Sequence, residues 1–212
     1  MTKAVFFDAG GTLIHTDPRT WLPPVLELFG ESADWSRIKE AILPAYAYYD
    51  EEHLKATDEE RAKRLWYETD RLLLEGLGVK RAEEIARWLV ENWRSPSLWP
   101  KTPGTPEVLA ELKSRGLVLA VVSNWDVLLP EVLSLMGVSP YLDAVFVSAA
   151  LGVKKPDPAI YERALAELGL SPEEVLFVGD RPDADYEVPR RLGMKALLVS
   201  PEEGIRPVIM AL

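Results

Sequence analysis

The sequence predicts an α/β protein built on a parallel sheet, and three observations predict it. Short apolar runs of strand length, at residues 4–7, 118–122, 144–147, 175–178 and 195–199, alternate with segments of helical period in the second half of the chain. Those runs are apolar at nearly every residue rather than at alternate ones, as a strand covered on both faces requires. Polar groups sit just after the first four: Asp8 follows the first, Ser123-Asn124 the second and Gly179-Asp180 the fourth, and Lys154-Lys155 open the segment after the third.

Taken in order, the elements are these. A first strand, Ala4 to Phe7, leads past His15 into a mostly helical stretch rich in Trp and Tyr. A helix begun near Asp34 meets Pro44, which is expected to kink or end it. Thr57 and Glu60 have capping-box spacing ahead of a helical pattern from Arg61 to Leu74, and Ile85, Trp88, Leu89 and Asn92/Trp93 repeat at helical period. The segment RSPSLWPKTPGTP, Arg94 to Pro106, carries four prolines and reads as a stiff connection. A boundary there divides the chain into a core, residues 1–16 and 97–212, and a helical unit, residues 17–96. The core then continues with helix Thr105 to Ser114, strand Val118 to Val122, helix Val127 to Met136, strand Ala144 to Val147 and helix Pro158 to Leu168. Strand Val175 to Val178, a helix near Pro189 to Leu192 and strand Lys195 to Val199 complete it.

Composition narrows the function. At 212 residues and 48% hydrophobic content the chain can bury a sizeable core. Lys and Arg total 24 against 34 Asp and Glu, a net charge of −10, so the molecule repels polyanions and anionic membrane surfaces; no nucleic-acid or membrane partner is expected. There is no cysteine, which removes thiolate chemistry and suits a reducing compartment. No apolar stretch approaches a signal-peptide core or a membrane span, and a cytoplasmic protein is expected.

In an open parallel sheet, ligands bind outside the carboxyl ends of the strands. Singly, Asp8 is an ordinary cap or turn residue, and so are Ser123-Asn124, Lys155 and Gly179-Asp180. In order, on successive strand ends of one sheet, they converge. Asp8 and Asp180 brought together repel unless a cation intervenes, and hard oxygen donors with an open position suit Mg²⁺. The amides of Ala9 and Gly10, the Ser123 hydroxyl and the Lys155 ammonium would neutralise phosphoryl oxygens, and a free oxygen of Asp8 could attack phosphorus. The expected substrate-contacting set is Ala9, Gly10, Ser123, Asn124 and Lys155, and the expected ligand is a small phosphorylated molecule. Gly10 and Gly11 would let the backbone approach it.

At these residues the chain resembles the haloacid dehalogenase-like superfamily: FFDAGGTLI, VVSNW, VKKPDPAIYERAL and FVGDRPDAD look like its four motifs in order. The resemblance implies a Rossmann-like core of strand order 5-4-1-2-3 with an inserted α-helical cap that closes over the site. It implies Asp8 as the nucleophile of an aspartyl-phosphate, Ser123 and Lys155 holding the phosphoryl group, and Mg²⁺ bound by Asp8, the Gly10 carbonyl, Asp180 and Asp185.

Two features depart from that pattern. Phosphatases of the family usually carry a second Asp two residues after the nucleophile, as general acid and base, and here that position is Gly10. Losing such a group typically costs ~10²–10⁴-fold in rate. His15, Asp17, Tyr46, Tyr49 and His53 are candidates to lend a proton, and Gly10→Asp is expected to raise hydrolysis of alkyl phosphates. After Asp185, YEVPRR replaces the small residues the family often shows, which bears on how Asp185 is placed. Two other readings therefore stay open. One is a phospho-ligand or protein binding module without turnover. The other is a 2-haloacid dehalogenase, with Arg19 as carboxylate clamp, although dehalogenases of the family carry Tyr at the position of Gly10 and lack the Asp corresponding to Asp180. The many aromatics read as core, while surplus exposure at Trp35, Trp66 or Trp93 would mark a homodimer contact.

Overall fold

The computed structural model describes all 212 residues. Five strands, β1 (Ala4–Phe7), β2 (Val118–Ser123), β3 (Ala144–Val147), β4 (Val175–Gly179) and β5 (Lys195–Leu198), form one parallel sheet of order β3-β2-β1-β4-β5. This is the expected order read from the opposite edge. The strands alternate their side chains between two cores. Val5, Phe7, Leu119, Val121, Leu176 and Val178 face one, with Leu109 of helix α5 (Thr105–Ser114) and Leu129 and Leu133 of α6 (Leu129–Leu135). Ala4, Phe6, Ala120, Val122, Val175 and Phe177 face the other, with Ile160, Tyr161 and Ala164 of α8 (Pro158–Leu168). The short α7 (Ser148–Leu151) and α9 (Val188–Arg191) complete the layers.

Strand register positions the site. Phe7 lies level with Val121 and Val178, so Ser123 and Asp180 emerge two residues further along the same rim as Asp8. The Asp8 amide donates to the Val178 carbonyl at 2.8 Å, which extends the ladder to Asp8 itself.

Between β1 and α5 run four helices: α1 (Pro18–Leu28), α2 (Ile38–Glu52), α3 (Glu59–Gly76) and α4 (Ala82–Glu91). They share a core of their own around Leu22, Ala41, Leu74, Leu77 and Ile85. A Cβ on Gly76 would lie 2.7 Å from the Ala41 Cα, so this glycine is what lets α2 and α3 close on each other.

Several expectations are corrected. Helix α2 does not end at Pro44 but runs through it; proline removes one backbone bond, and burial of Ala41 and Ala45 against the facing helices holds both sides together. Asp58, not Thr57, caps α3, accepting from the Arg61 amide at 2.8 Å. Helix α6 starts at Leu129 rather than Val127, because the Asp126 carboxylate takes the Leu128 amide at 3.0 Å and holds the preceding turn open. Ahead of α9, residues Pro182–Glu187 form a wide π-type turn. Trp66 and Trp93 are buried against the sheet-side core and Trp35 packs partly on the helical one, so the first two offer no exposed dimer contact.

The helical unit meets the sheet unit through a buried carboxylate. Asp126, fully buried after β2, accepts from Tyr49 Oη of α2 at 2.9 Å and Trp66 Nε1 of α3 at 2.7 Å. Lys154 adds a bridge of 2.8 Å to Asp50. No helix is long and apolar enough to cross a membrane.

Candidate active site

Lys155 organises the rim. Its Nζ lies 2.7 Å from Asp8 Oδ1 and 2.6 Å from Asp185 Oδ1, with all three residues buried. Asn124 holds this lysine in place: its Oδ1 accepts from the Lys155 amide at 2.7 Å and its Nδ2 donates to the Lys155 carbonyl at 2.8 Å. Both polar atoms of Asn124 are thus engaged by backbone. It positions Lys155 rather than reaching a ligand with its amide.

Two glycines make room for the carboxylates. Gly11, at φ 75°, has Asp180 so close that a Cβ would fall 2.2 Å from its Oδ2. A Cβ on Gly179 would fall 2.3 Å from Asp185 Cγ. Gly11 therefore seats a carboxylate, not the ligand approach expected from sequence. Asp185 stands in the wide turn, wholly buried, and its Oδ2 accepts from the Arg181 amide at 3.0 Å. The unusual YEVPRR text begins just after it and leaves it on Lys155.

Asp8, Asp180 and Asp185 can each offer an oxygen within 4.8 Å of the others. Three carboxylates thus face one ammonium. Burial, and then the charges of Asp8 and Asp185, push the Asp180 carboxyl up to about 7. Burial works against the Lys155 ammonium, but Asp185 and Asp8 outweigh it and hold its pKa above the ordinary value. An all-oxygen set this close, with more negative charge than Lys155 balances, fits a hard divalent ion, and the three carboxylates and the Gly10 carbonyl are the groups that would hold it. Beside them the amides of Ala9 and Gly10 donate to no protein acceptor, and Ser123 lines the same hollow.

That hollow is a cavity of about 420 Å³ lined by Asp8, Gly10, Ser123, Lys155 and Asp180 of the rim and by residues of α2 and α3 and Trp93 of the helical unit. A larger groove of about 590 Å³, lined by Glu52, Lys55, Arg61 and Arg64, contains none of the rim residues. The proton-lending candidates separate by geometry. Asp17 caps α1 and is paired with Arg19, which holds its carboxyl below the usual range. Tyr49 is spent on Asp126; His53, fully buried and stacked on Tyr49, turns its Nδ1 to backbone carbonyls. Tyr46 is half exposed and reaches the Thr16 carbonyl at 3.4 Å. His15 lines the cavity with its Nδ1 buried and without a partner, and His53 does so with its Nε2.

Sequence reading missed three residues here. Asp126 and Trp125 follow the VVSN motif directly, and the buried turn they make gave no periodic signal. Asp70 stands four residues after Trp66 on one face of α3 and lines the cavity, with no cation or donor beside it; burial alone pushes its carboxyl up to about 7. A carboxyl raised in the fold binds its proton longer there than in the unfolded chain, so its contribution is present at acid pH and is lost as pH rises from about 4 to about 7. Asp70→Asn is expected to stabilise the protein at pH 8 and to change nothing near pH 4. The gain should be about 1–2 kcal/mol, since the group lines an open cavity rather than packed interior. Denaturant melts at both pH values check this, and equal stability at pH 8 would mean that the carboxylate is hydrated at no cost.

The geometry can now be set beside known proteins. The chain is 37% identical over 125 residues to the human haloacid dehalogenase-like hydrolase domain-containing protein 3, covering 59% of this chain and 50% of that one. It is 37% identical over 128 residues to a phosphoserine phosphatase of Thermus thermophilus, covering 59% and 51%. The chain thus spans about half the length of these curated relatives. A dehalogenase crystal structure superposes with a TM-score of 0.70 at 24% identity, over 93% of this chain and 84% of the other, which speaks for the fold alone. The haloacid dehalogenase-like hydrolase family matches residues 2–193, and with nearly the whole sheet and its rim inside that span, the chain belongs to this family of hydrolases.

Proposed function

We propose that this hydrolase cleaves small phosphomonoesters or acyl phosphates through a phosphorylated Asp8, with Mg²⁺ at the rim. The observation that carries this reading is the gathering of Asp8, Asp180 and Asp185 around a single buried lysine. Asp8 gives its oxygen to phosphorus and the leaving-group oxygen departs with a proton. Lys155, Ser123 and the amides of Ala9 and Gly10 meet the phosphoryl oxygens where charge develops. Water then attacks the phosphorus, and Asp8 is released as carboxylate. Mg²⁺, held by Asp8, the Gly10 carbonyl, Asp180 and Asp185, supplies charge neutralisation when bound. His15 is the best supported source of the leaving-group proton: His15 and His53 both line the cavity with a buried ring nitrogen that has no partner, but burial lowers the His53 pKa and its other nitrogen is held by backbone carbonyls. The dehalogenase reading loses its clamp: Arg19 is exposed and bonded through its Nε to both oxygens of Asp17.

Added Mg²⁺ tests the ion. At 100 times its Kd it stabilises by about 2.7 kcal/mol, or about 5–10 °C in melting temperature for a chain of this size, reversed by EDTA. No shift with Mg²⁺, together with turnover of acetyl phosphate in EDTA, would remove the metal from the proposal. Absence of turnover with every phosphate offered would leave a binding module.

Gly10→Asp acquires a condition. A Cβ there would sit 3.2 Å from the Trp125 ring and 3.3 Å from the Thr16 methyl, and Trp125 is itself packed by Trp99 and Tyr49. The single change is expected to bring no gain. Combined with Trp125→Leu it should raise alkyl phosphate hydrolysis about tenfold or more over Trp125→Leu alone. A full gain from the single variant would show that the indole yields freely.

A further inference from the structure

At about 420 Å³ the cavity holds more than a phosphoryl group, and the wall that α3 contributes has an unusual charge. The lysine and the arginine that line it are already paired: Lys155 with Asp8 and Asp185, and Arg181 with Asp183 at 2.9 Å. Asp50 is paired with Lys154. A second anionic group on a substrate would find no unpaired lysine or arginine there. Asp70, by contrast, is a carboxylate without hydrogen bond or ion pair, on the same face of α3 as Trp66.

Around it the walls are aromatic. Trp66 packs against Trp93 at 5.3 Å and Trp99 at 5.5 Å between ring centroids, and Trp99 continues to Trp125 at 6.3 Å. Tyr46 lines the same cavity. Aromatic faces carry negative potential and attract cations most strongly where water is excluded. A partnerless carboxylate among such rings is complementary to one kind of group.

We propose that the substrate's leaving group carries an organic cation, an ammonium seated between Asp70 and the tryptophan rings while the phosphoryl group lies at Asp8. This rests on the phosphatase reading for the phosphoryl end only; the cation seat stands on its own geometry. The substrate class is therefore a phosphomonoester of an amino alcohol or of a related quaternary ammonium alcohol.

The experiment compares 2-(trimethylammonio)ethyl phosphate with its neutral isostere 3,3-dimethylbutyl phosphate in the wild type and in Asp70→Asn. Reading the ratio of the two kcat/KM values within each protein cancels any general loss of activity. The wild type is expected to favour the cationic ester about tenfold or more, and Asp70→Asn to bring the ratio near one. A ratio near one in the wild type, or one unmoved by Asp70→Asn, overturns the proposal. Quenching of tryptophan fluorescence by tetramethylammonium, with neopentyl alcohol as control, reads the seat without any phosphoryl chemistry. Saturable quenching by the cation alone, in a protein that hydrolyses no phosphate, would sink the phosphatase reading and keep the seat. Hydrolysis of acetyl phosphate with no quenching and no ester preference would do the reverse. Should Asp70→Asn fail to fold, the wild-type ratio and the quenching comparison still decide.

Discussion

Asp8→Asn is expected to abolish turnover of acetyl phosphate and p-nitrophenyl phosphate, by at least about 10⁴-fold, in a protein that remains folded. The amide has no anionic oxygen to give to phosphorus, and no other carboxylate stands free at that position: Asp185 is committed to Lys155, and Asp180 lies against Gly11. Folding should survive because the change removes a negative charge from a site that holds three carboxylates and one ammonium, and Lys155 keeps Asp185 as partner. The thermal gain from Mg²⁺ should shrink with it, since one of the oxygen donors is lost. Turnover within tenfold of the wild type would place the nucleophile elsewhere and undo the proposed function, whatever the fold.

Lys155→Met should cost stability instead. It leaves Asp8 and Asp185 buried with no cation, and breaking a buried pair from one side is typically worth about 3–5 kcal/mol. In a chain of this size that is about 10 °C in melting temperature. The direction with pH follows from the carboxyl groups left behind. Burial, and the charge of Asp8, already raise the Asp185 carboxyl against the pull of Lys155, so without the lysine its proton is held more tightly in the fold than in the unfolded chain, and the deficit should be small at acid pH and grow as pH rises. Mg²⁺ should restore part of it. A loss below about 1 kcal/mol at pH 8 would mean that the two carboxylates are not dependent on the lysine, and the electrostatic picture of the rim would fall.

Local text made much of this legible. The five strands were readable because each is a short apolar run, and their polar followers because a parallel sheet leaves only its carboxyl rim for chemistry. Helix ends were less legible. Thr57 and Asp58 both look like caps, and only the backbone that enters α3 selects Asp58. Pro44 reads as a breaker because its cost is local, whereas the packing of Ala41 and Ala45 that outweighs it comes from other helices. The glycines carried half their meaning in sequence: Gly11 announces freedom, but that the freedom seats Asp180 is a fact about a residue 169 positions away.

By itself, then, the sequence determined the parallel sheet, the helical insert and the identity of the groups at the rim, because periodicity and strand-end chemistry are encoded over a few residues. Only the tertiary structure decided that Asn124 serves Lys155, that Trp125 crowds Gly10, and that Asp70 stands without a partner among tryptophans. Those are properties of a cavity walled by α2, α3 and the strand ends together. Whether a charge in such a wall is paired or bare depends on which distant side chains arrive beside it, and no local pattern records that.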